Sequence, residues 1–172
     1  MCNLILCNNN PHAKSQSTRS IRSHRPGPLA LDRQLCFALY STSLAMTMLY
    51  RPLLEPLGLT YPQYLVMLAL WEQDELSVSD FGERLQIDSG TLSPLLKRLD
   101  AAKLLTRRRD PADERRVLVT LTLAGRRLKA RAESIPQRLT CAAACDLNEL
   151  ADLTARLQKL RRQLSAAPIS ED

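Results

Sequence analysis

The sequence predicts a mainly α protein with one short β-hairpin, and three observations carry that prediction. Aromatic residues make up only 4% of a chain that is 45% hydrophobic, and a chain poor in aromatics and rich in Leu, Ala and Arg favours helices. Apolar residues recur at three- and four-residue steps on both sides of the middle of the chain, which is the helical period. Between them, residues 104–109 and 116–121 form two β-prone runs around a polar turn containing Asp-Pro, the pattern of a hairpin.

Residues 1–28 lack periodicity and are rich in Asn, Ser, Arg and Pro, which predicts a disordered leader. The spacing of Cys2, Cys7, His12 and His24 there fits no compact metal site. Residues 29–54 read as a helix that ends near "EPLG", where Pro56 and Gly58 punctuate the chain. Thr60 and Gln63 then make a capping box for "PQYLVMLALWE", with Pro62 early enough for its missing N–H to cost little. Ser77 and Asp80 box the start of "SVSDFGERL" in the same way, and the turn "QID" leads into "SGTLSPLLKRLDAAK". Three helices with a tight connection between the last two read as a helix-turn-helix core.

Pro94 conflicts with a helix beginning right after Asp88, because it would remove an interior hydrogen bond. The expectation is a regular helix beginning nearer Thr91, or a kink. Either way the helix start presents Ser89, Thr91 and Ser93. The hairpin follows directly, with Asp113, Arg115 and Arg116 at its tip, which makes it a wing. Thr122 caps a long helix through "LAGRRLKARAESIPQRLTCAAAC", expected to bend at Pro136. Asp146 and Glu149 box a last helix whose Leu147, Leu150, Leu153, Leu157, Leu160 and Leu164 form one apolar stripe. The first helix and the leucine stripe of the last are more apolar than one small core requires, which is consistent with an intersubunit interface, so the predicted fold is a winged helix-turn-helix with a two-stranded β wing and N- and C-terminal dimerisation helices. The leader occupies residues 1–28 and one domain residues 29–168. Its DNA-binding core spans about residues 60–121, and its dimerisation helices about 29–55 and 122–164.

The charge pattern agrees with a polyanionic partner. The net charge is +6, but residues 1–28 carry +4 and residues 97–131 carry +8, leaving −6 for the rest. A basic segment on an otherwise acidic domain suggests an electrostatic footprint for a polyanion, although charge alone slightly favours a solvated helix face. Five cysteines (Cys2, Cys7, Cys36, Cys141 and Cys145) are an odd count, and the apolar run at residues 4–6 is too short for a secretion signal. A cytoplasmic protein with thiols rather than a disulfide framework is expected. No apolar run is long enough to cross a bilayer, and no cofactor is called for.

"LQIDSGTLSPLLKRLDAAKLLTRRRDPADERRVLVTLTLAG" resembles the signature region of the MarR family of winged-helix repressors, the "DERRVLVTLT" wing followed by "AG" being among its most diagnostic parts. "CFALYS" together with "DSGTLSPLLKRL" resembles the organic-hydroperoxide-sensing branch, whose members repress a thiol-dependent peroxidase. The resemblance covers about residues 29–164. It implies a homodimer on a near-palindromic double-stranded operator. The helix of residues 89–103 would read the major groove, with Ser89, Gly90, Thr91, Ser93, Lys97 and Arg98 at or near the DNA. Asp113 would steady Arg115, which reaches the minor groove at the wing tip beside Arg116.

Cys36 raises a separate question. Tyr40 lies one turn further along the same helix face. Tyr50 also faces that side, but a rise of about 1.5 Å per residue puts it roughly 21 Å away. Within one chain the two cannot meet, whereas antiparallel packing of two copies could bring them together, and Tyr61 could join them. Phenolic O–H groups stabilise a thiolate without a cation. An apolar surround including Phe37 opposes ionisation, yet it admits an organic hydroperoxide, which oxidises the thiolate to a sulfenic acid. Read by itself, Cys36 is more often a buried packing residue. The resemblance points the other way: the matching cysteine is the peroxide-reactive one, and the positions matching Tyr50 and Tyr61 hydrogen-bond it across the dimer, with Tyr40 nearby. It also makes Cys141 the resolving residue of a two-cysteine member, with Cys145 as the second candidate.

The reading is therefore a non-enzymatic, redox-sensing repressor released from DNA when organic hydroperoxide oxidises Cys36. The alternatives are a related repressor controlled by a small phenolic ligand, with Cys36 as filler, and a thiol peroxidase. The last lacks an acid/base cluster near a cysteine, since both histidines lie in the leader.

Overall fold

The computed structural model describes residues 27–143 and 146–168. Almost all of the predicted leader, with Cys2 and Cys7, lies outside the described residues, as does Cys145. The chain divides into two compact units, Met1–Ala38 and Leu39–Asp172. In the first, the predicted helix begins later than its apolar period suggests. Leu31–Arg33 form a 3-10 turn, and the regular helix α1 spans Leu35–Leu54. Gln34 Nε2 donates to the Pro28 carbonyl at 2.8 Å and secures that turn.

The second unit continues α1 to a 3-10 turn, Glu55–Leu57. Gly58 ends it at φ +67°, a conformation that favours glycine. The helices α2 (Tyr61–Glu72) and α3 (Val78–Leu85) follow, separated by the short strand β1 (Leu76–Ser77). The expected boxes are present. Gln63 Oε1 accepts the Thr60 N–H at 2.9 Å. Ser77 N–H donates to Asp80 Oδ2 at 2.7 Å, and Asp80 N–H returns a bond to Ser77 Oγ at 3.2 Å. Each satisfies helix-terminal N–H groups that would otherwise have no partner.

The second helix of the helix-turn-helix, α4, spans Ser89–Ala101, and the wing strands β2 and β3 span Leu105–Arg109 and Val117–Leu121. β3 pairs antiparallel with β2 (Leu105 opposite Leu121) and also with β1 (Leu76 opposite Val119). The sheet thus has three strands, ordered β1-β3-β2, where two were expected. A two-residue strand is too short to show any period, so only its pairing reveals it. The core lies where these elements meet: Phe81, Leu92, Leu99, Leu105 and Val119 are fully buried with Leu54 and Met67.

The long helix expected after Thr122 is two helices, α5 (Leu123–Ala132) and α6 (Ile135–Ala143), parted by a turn at residues 133–134. Pro136 therefore falls at the start of a new helix, where proline is tolerated, and does not kink an old one. Thr122 caps α5 as expected, its Oγ1 accepting the Gly125 N–H at 3.0 Å. Asp146 and Glu149 cap α7 (Leu147–Ala166). Four leucines of the α7 stripe are exposed in the isolated chain, from 40% at Leu157 to 72% at Leu147, and Leu150 and Leu160 are half-buried.

Candidate functional site

The N-terminus of α4 is set by Asp88. Its Oδ1 accepts the Thr91 N–H at 2.9 Å, and its Oδ2 accepts the Thr91 hydroxyl at 2.7 Å. This cap starts the helix at Ser89 and places Pro94 inside it, correcting the expected start near Thr91. The lost bond leaves the Gly90 carbonyl without its helical donor, and Gly90 is exposed, so water can replace that donor at little cost. Ser93 Oγ donates to the Ser89 carbonyl at 2.8 Å. Leu92, Leu95, Leu96 and Leu99 bury one face. The opposite face presents Ser89, Gly90, Thr91, Lys97 and Arg98 to solvent, with Ser93 half-buried. Hydroxyl and cationic groups on an exposed helix face are the chemistry that base edges and phosphates accept.

At the wing tip Asp113, Arg115 and Arg116 are exposed. The Asp113 carboxylate accepts the backbone N–H of Arg115 at 3.1 Å, and its carbonyl accepts that of Arg116 at 2.8 Å. The contact seen is therefore to the backbone of Arg115, and Asp113 shapes the turn from which both guanidinium groups project. Arg109 helps by donating to the Glu114 carbonyl at 2.9 Å.

Part of the basic segment is engaged by the fold. Arg107, Arg108 and Arg126 pair with Asp100, Glu75 and Asp74 at 2.9, 2.7 and 2.5 Å. Lys129 Nζ donates to the Trp71 carbonyl at 3.0 Å, and Arg131 to the Pro56 carbonyl at 2.6 Å. These five belong to the scaffold. Lys97, Arg98, Arg115 and Arg116 form no ion pair among the described residues, and neither do Lys103, Arg109 and Arg127, so unpaired charge is present on α4 and at the wing tip. Asp80 is held below the usual carboxylate range by its two bonds to Ser77, then by the positive charges of Arg116 and Arg84. Asp88 is also lowered, through its bonds to the Thr91 hydroxyl and N–H.

The thiol candidates lie on α1 and α6. Cys36, the second residue of α1, is an exposed free thiol, as is Cys141 on α6. Phe37 is half-buried and Tyr40 exposed. Tyr50 and Tyr61 are brought together within one chain, ring centroids 4.9 Å apart. Tyr64, a residue the sequence reading passed over, completes the group at 5.7 Å from Tyr50, and its ring in turn meets Trp71 edge-on at 6.2 Å. Its three-residue spacing from Tyr61 was the available signal. Burial, then the neighbouring Tyr64 and Tyr61, pushes the Tyr50 phenol up to about 12. Burial raises Tyr61 and Tyr64 too, with Tyr61 adding to the latter. All three therefore remain protonated hydrogen-bond donors at neutral pH.

Two cavities adjoin this cluster. One of about 550 Å³ is lined by Met48, Arg51, Leu59, Thr60 and Tyr61, and one of about 270 Å³ by Tyr64, Leu68, Trp71, Lys129 and Pro136. Among the described residues no group of His, Cys, Asp and Glu could hold a metal ion, and no helix is long and apolar enough to cross a membrane.

Residues 48–132 match the family model for the transcriptional regulators SarA/Rot. The chain is 46% identical to the transcriptional regulator TtmR of Methylorubrum extorquens over 142 residues, covering 83% of this chain and 73% of the relative. It is 52% identical over 108 residues to the organic hydroperoxide resistance transcriptional regulator of Bacillus subtilis, covering 63% and 74%. Its fold is similar to that of reduced AbfR bound to DNA, with a TM-score of 0.63 and 30% identity, covering 78% of this chain and 92% of that one.

Proposed function

Because the chain belongs to the MarR/SarA family of winged-helix transcriptional regulators, we propose that it is a dimeric repressor whose grip on a near-palindromic operator is controlled by oxidation of Cys36. The observation that carries the reading is the α4 face with exposed Ser89, Gly90, Thr91, Lys97 and Arg98 and half-buried Ser93, followed in sequence by an exposed wing tip holding Arg115 and Arg116. The helix supplies groups for the major groove. The wing supplies cations for the minor groove, where a narrow groove strengthens the attraction. The exposed leucines of α7 form the seam with a second copy, as expected of a symmetric dimer.

Control begins at the thiol. The Cys36 thiolate attacks the distal oxygen of an organic hydroperoxide. An S–O bond forms as the O–O bond breaks, and the leaving alkoxide takes a proton to become an alcohol. The product is a sulfenic acid. Cys141 of the second protomer then displaces water from it to form a disulfide. Tyr50 and Tyr61 of the second protomer, both protonated donors, stabilise the thiolate before attack. The similarity to the Bacillus regulator supports organic hydroperoxide as the inducer. The structural match to AbfR, also solved in a disulfide form with a TM-score of 0.55 and 34% identity, supports a disulfide as the end state. Separating or rotating the two reading heads costs phosphate and base contacts, and with them orders of magnitude in affinity.

Anisotropy of a labelled operator, titrated with cumene hydroperoxide, tests this reading. Binding is lost at about one equivalent per Cys36 if the reaction follows the 1:1 stoichiometry of thiolate oxidation. Cys36→Ser binds DNA and ignores peroxide. Retained peroxide sensitivity in that variant defeats the sensor assignment. The 270 Å³ cavity between α2 and α5 favours one second reading, a phenolic ligand as effector. Release of DNA by such a ligand with Cys36 replaced would establish it.

A further inference from the structure

The last turn of α2 and the segment after it carry a dense set of contacts to the root of the wing. Trp71 Nε1 donates to the Gly125 carbonyl at 2.9 Å. Asp74 Oδ1 accepts the Leu121 N–H at 2.9 Å and the Glu75 N–H at 3.0 Å, while Oδ2 pairs with Arg126 in the first turn of α5 at 2.5 Å.

The register explains why a side chain does this work. β1 pairs antiparallel with β3, Leu76 opposite Val119. Continued by one more pair on the same face, that register would set residue 74 opposite Leu121. Glu75 sits at φ +65° and turns the backbone away, so residue 74 cannot extend the ladder. The Asp74 carboxylate supplies the acceptor that the strand would have supplied. One residue thus closes the last rung of β3 and clamps α5 beside it.

The wing amplifies whatever happens at this root. Arg115 lies six residues from Leu121, about 20 Å at strand rise, so a tilt of about 10° moves the tip by roughly 3 Å. Hydrogen-bond distances tolerate only a few tenths of an ångström. We propose that Asp74 is a positioning residue that sets the wing angle and so determines whether Arg115 reaches the minor groove. This rests on the DNA-binding reading given above.

The test is a double-mutant cycle on operator affinity in the full-length reduced protein. Asp74→Ala and Arg115→Ala each weaken binding about tenfold, and the double variant about tenfold again rather than a hundredfold, because coupled sites do not add. Asp74→Ala combined with Lys97→Ala multiplies in full, since the reading helix is untouched. Asp74→Ala also lowers the salt slope by about one released counterion per protomer, as Arg115→Ala does. Asp74→Asn keeps an acceptor for the Leu121 N–H and restores most of the affinity. Full multiplication between Asp74→Ala and Arg115→Ala, whatever the loss of thermal stability, overturns the proposal and leaves the DNA reading intact. An Arg115→Ala protein that binds as the parent does removes the wing reading and the proposal with it. Should Asp74→Ala fold poorly, Arg126→Gln enters the same cycle. A smaller loss, again not multiplying with Arg115→Ala, supports the proposal, and a multiplying loss overturns it.

Discussion

The rings of Tyr50 and Tyr61 lie 4.9 Å apart at an interplanar angle of 46°, although one lies near the C-terminal end of α1 and the other is the first residue of α2. Their contact makes a single donor surface from two elements. The Tyr50 phenol sits at about 12, so it keeps its proton across the range in which a thiol of ordinary pKa, about 8.5, titrates.

On the proposed reading, removing one phenol should therefore slow the oxidation of Cys36. A hydrogen bond to a charged acceptor contributes about 1.5–3 kcal/mol, or about ten- to a hundredfold in rate. Tyr50→Phe or Tyr61→Phe is expected to slow peroxide oxidation of Cys36 by up to that factor while operator affinity in the reduced state holds. An unchanged oxidation rate in both variants would show that neither phenol donates to the sulfur.

Gly125 is a steric requirement. A Cβ there would lie 2.0 Å from the Leu104 carbonyl oxygen, and that carbonyl already accepts the Thr122 N–H at 3.1 Å. Backbone on both sides must shift to admit a methyl group. Gly125→Ala should cost about 3 kcal/mol or more, at the upper end for overpacking, read as a lowered urea midpoint. An unchanged midpoint would mean that α5 can slide without consequence.

Acid should weaken the helix-turn-helix first. Asp80 and Asp88 both have folded-state values below the ordinary 3.8. A depressed carboxyl contributes stability that is present above its unfolded value and lost as pH falls through its folded one. Asp80→Asn with Asp88→Asn should flatten the stability curve below about pH 4, where ordinary aspartates titrate. Both asparagines retain acceptors for the caps, so the loss at pH 7 is small. A parent-like acid limb in the double variant, measured by chemical denaturation at several pH values, would contradict this.

The leucine stripe of α7 should hold the dimer. Leu39, Leu157, Leu160 and Leu164 line an open groove of about 480 Å³. Leu157→Glu places a charge in it, and burying an unpaired charge is strongly unfavourable. Sedimentation should show monomers at concentrations where the parent is dimeric, with operator affinity falling in step. A dimer unaffected by the change would move the interface elsewhere.

What the sequence by itself determined follows one physical rule: its signals act over about four residues. Helix period, the boxes at Thr60, Ser77 and Asp146, the cap at Thr122 and the two wing runs are all written locally, and the structure bears each of them out. The start of α4 failed locally because two nearby signals competed, and the Asp88 cap prevailed over Pro94. Tertiary structure alone decided the rest. The pairing of β1 with β3 joins residues about forty apart, and Asp74 finds Leu121 and Arg126 across 47 and 52 positions. No spacing within a window announces such partners. For the same reason, which basic residues serve the scaffold emerged only when packing brought Asp74, Glu75 and Asp100 against Arg126, Arg108 and Arg107.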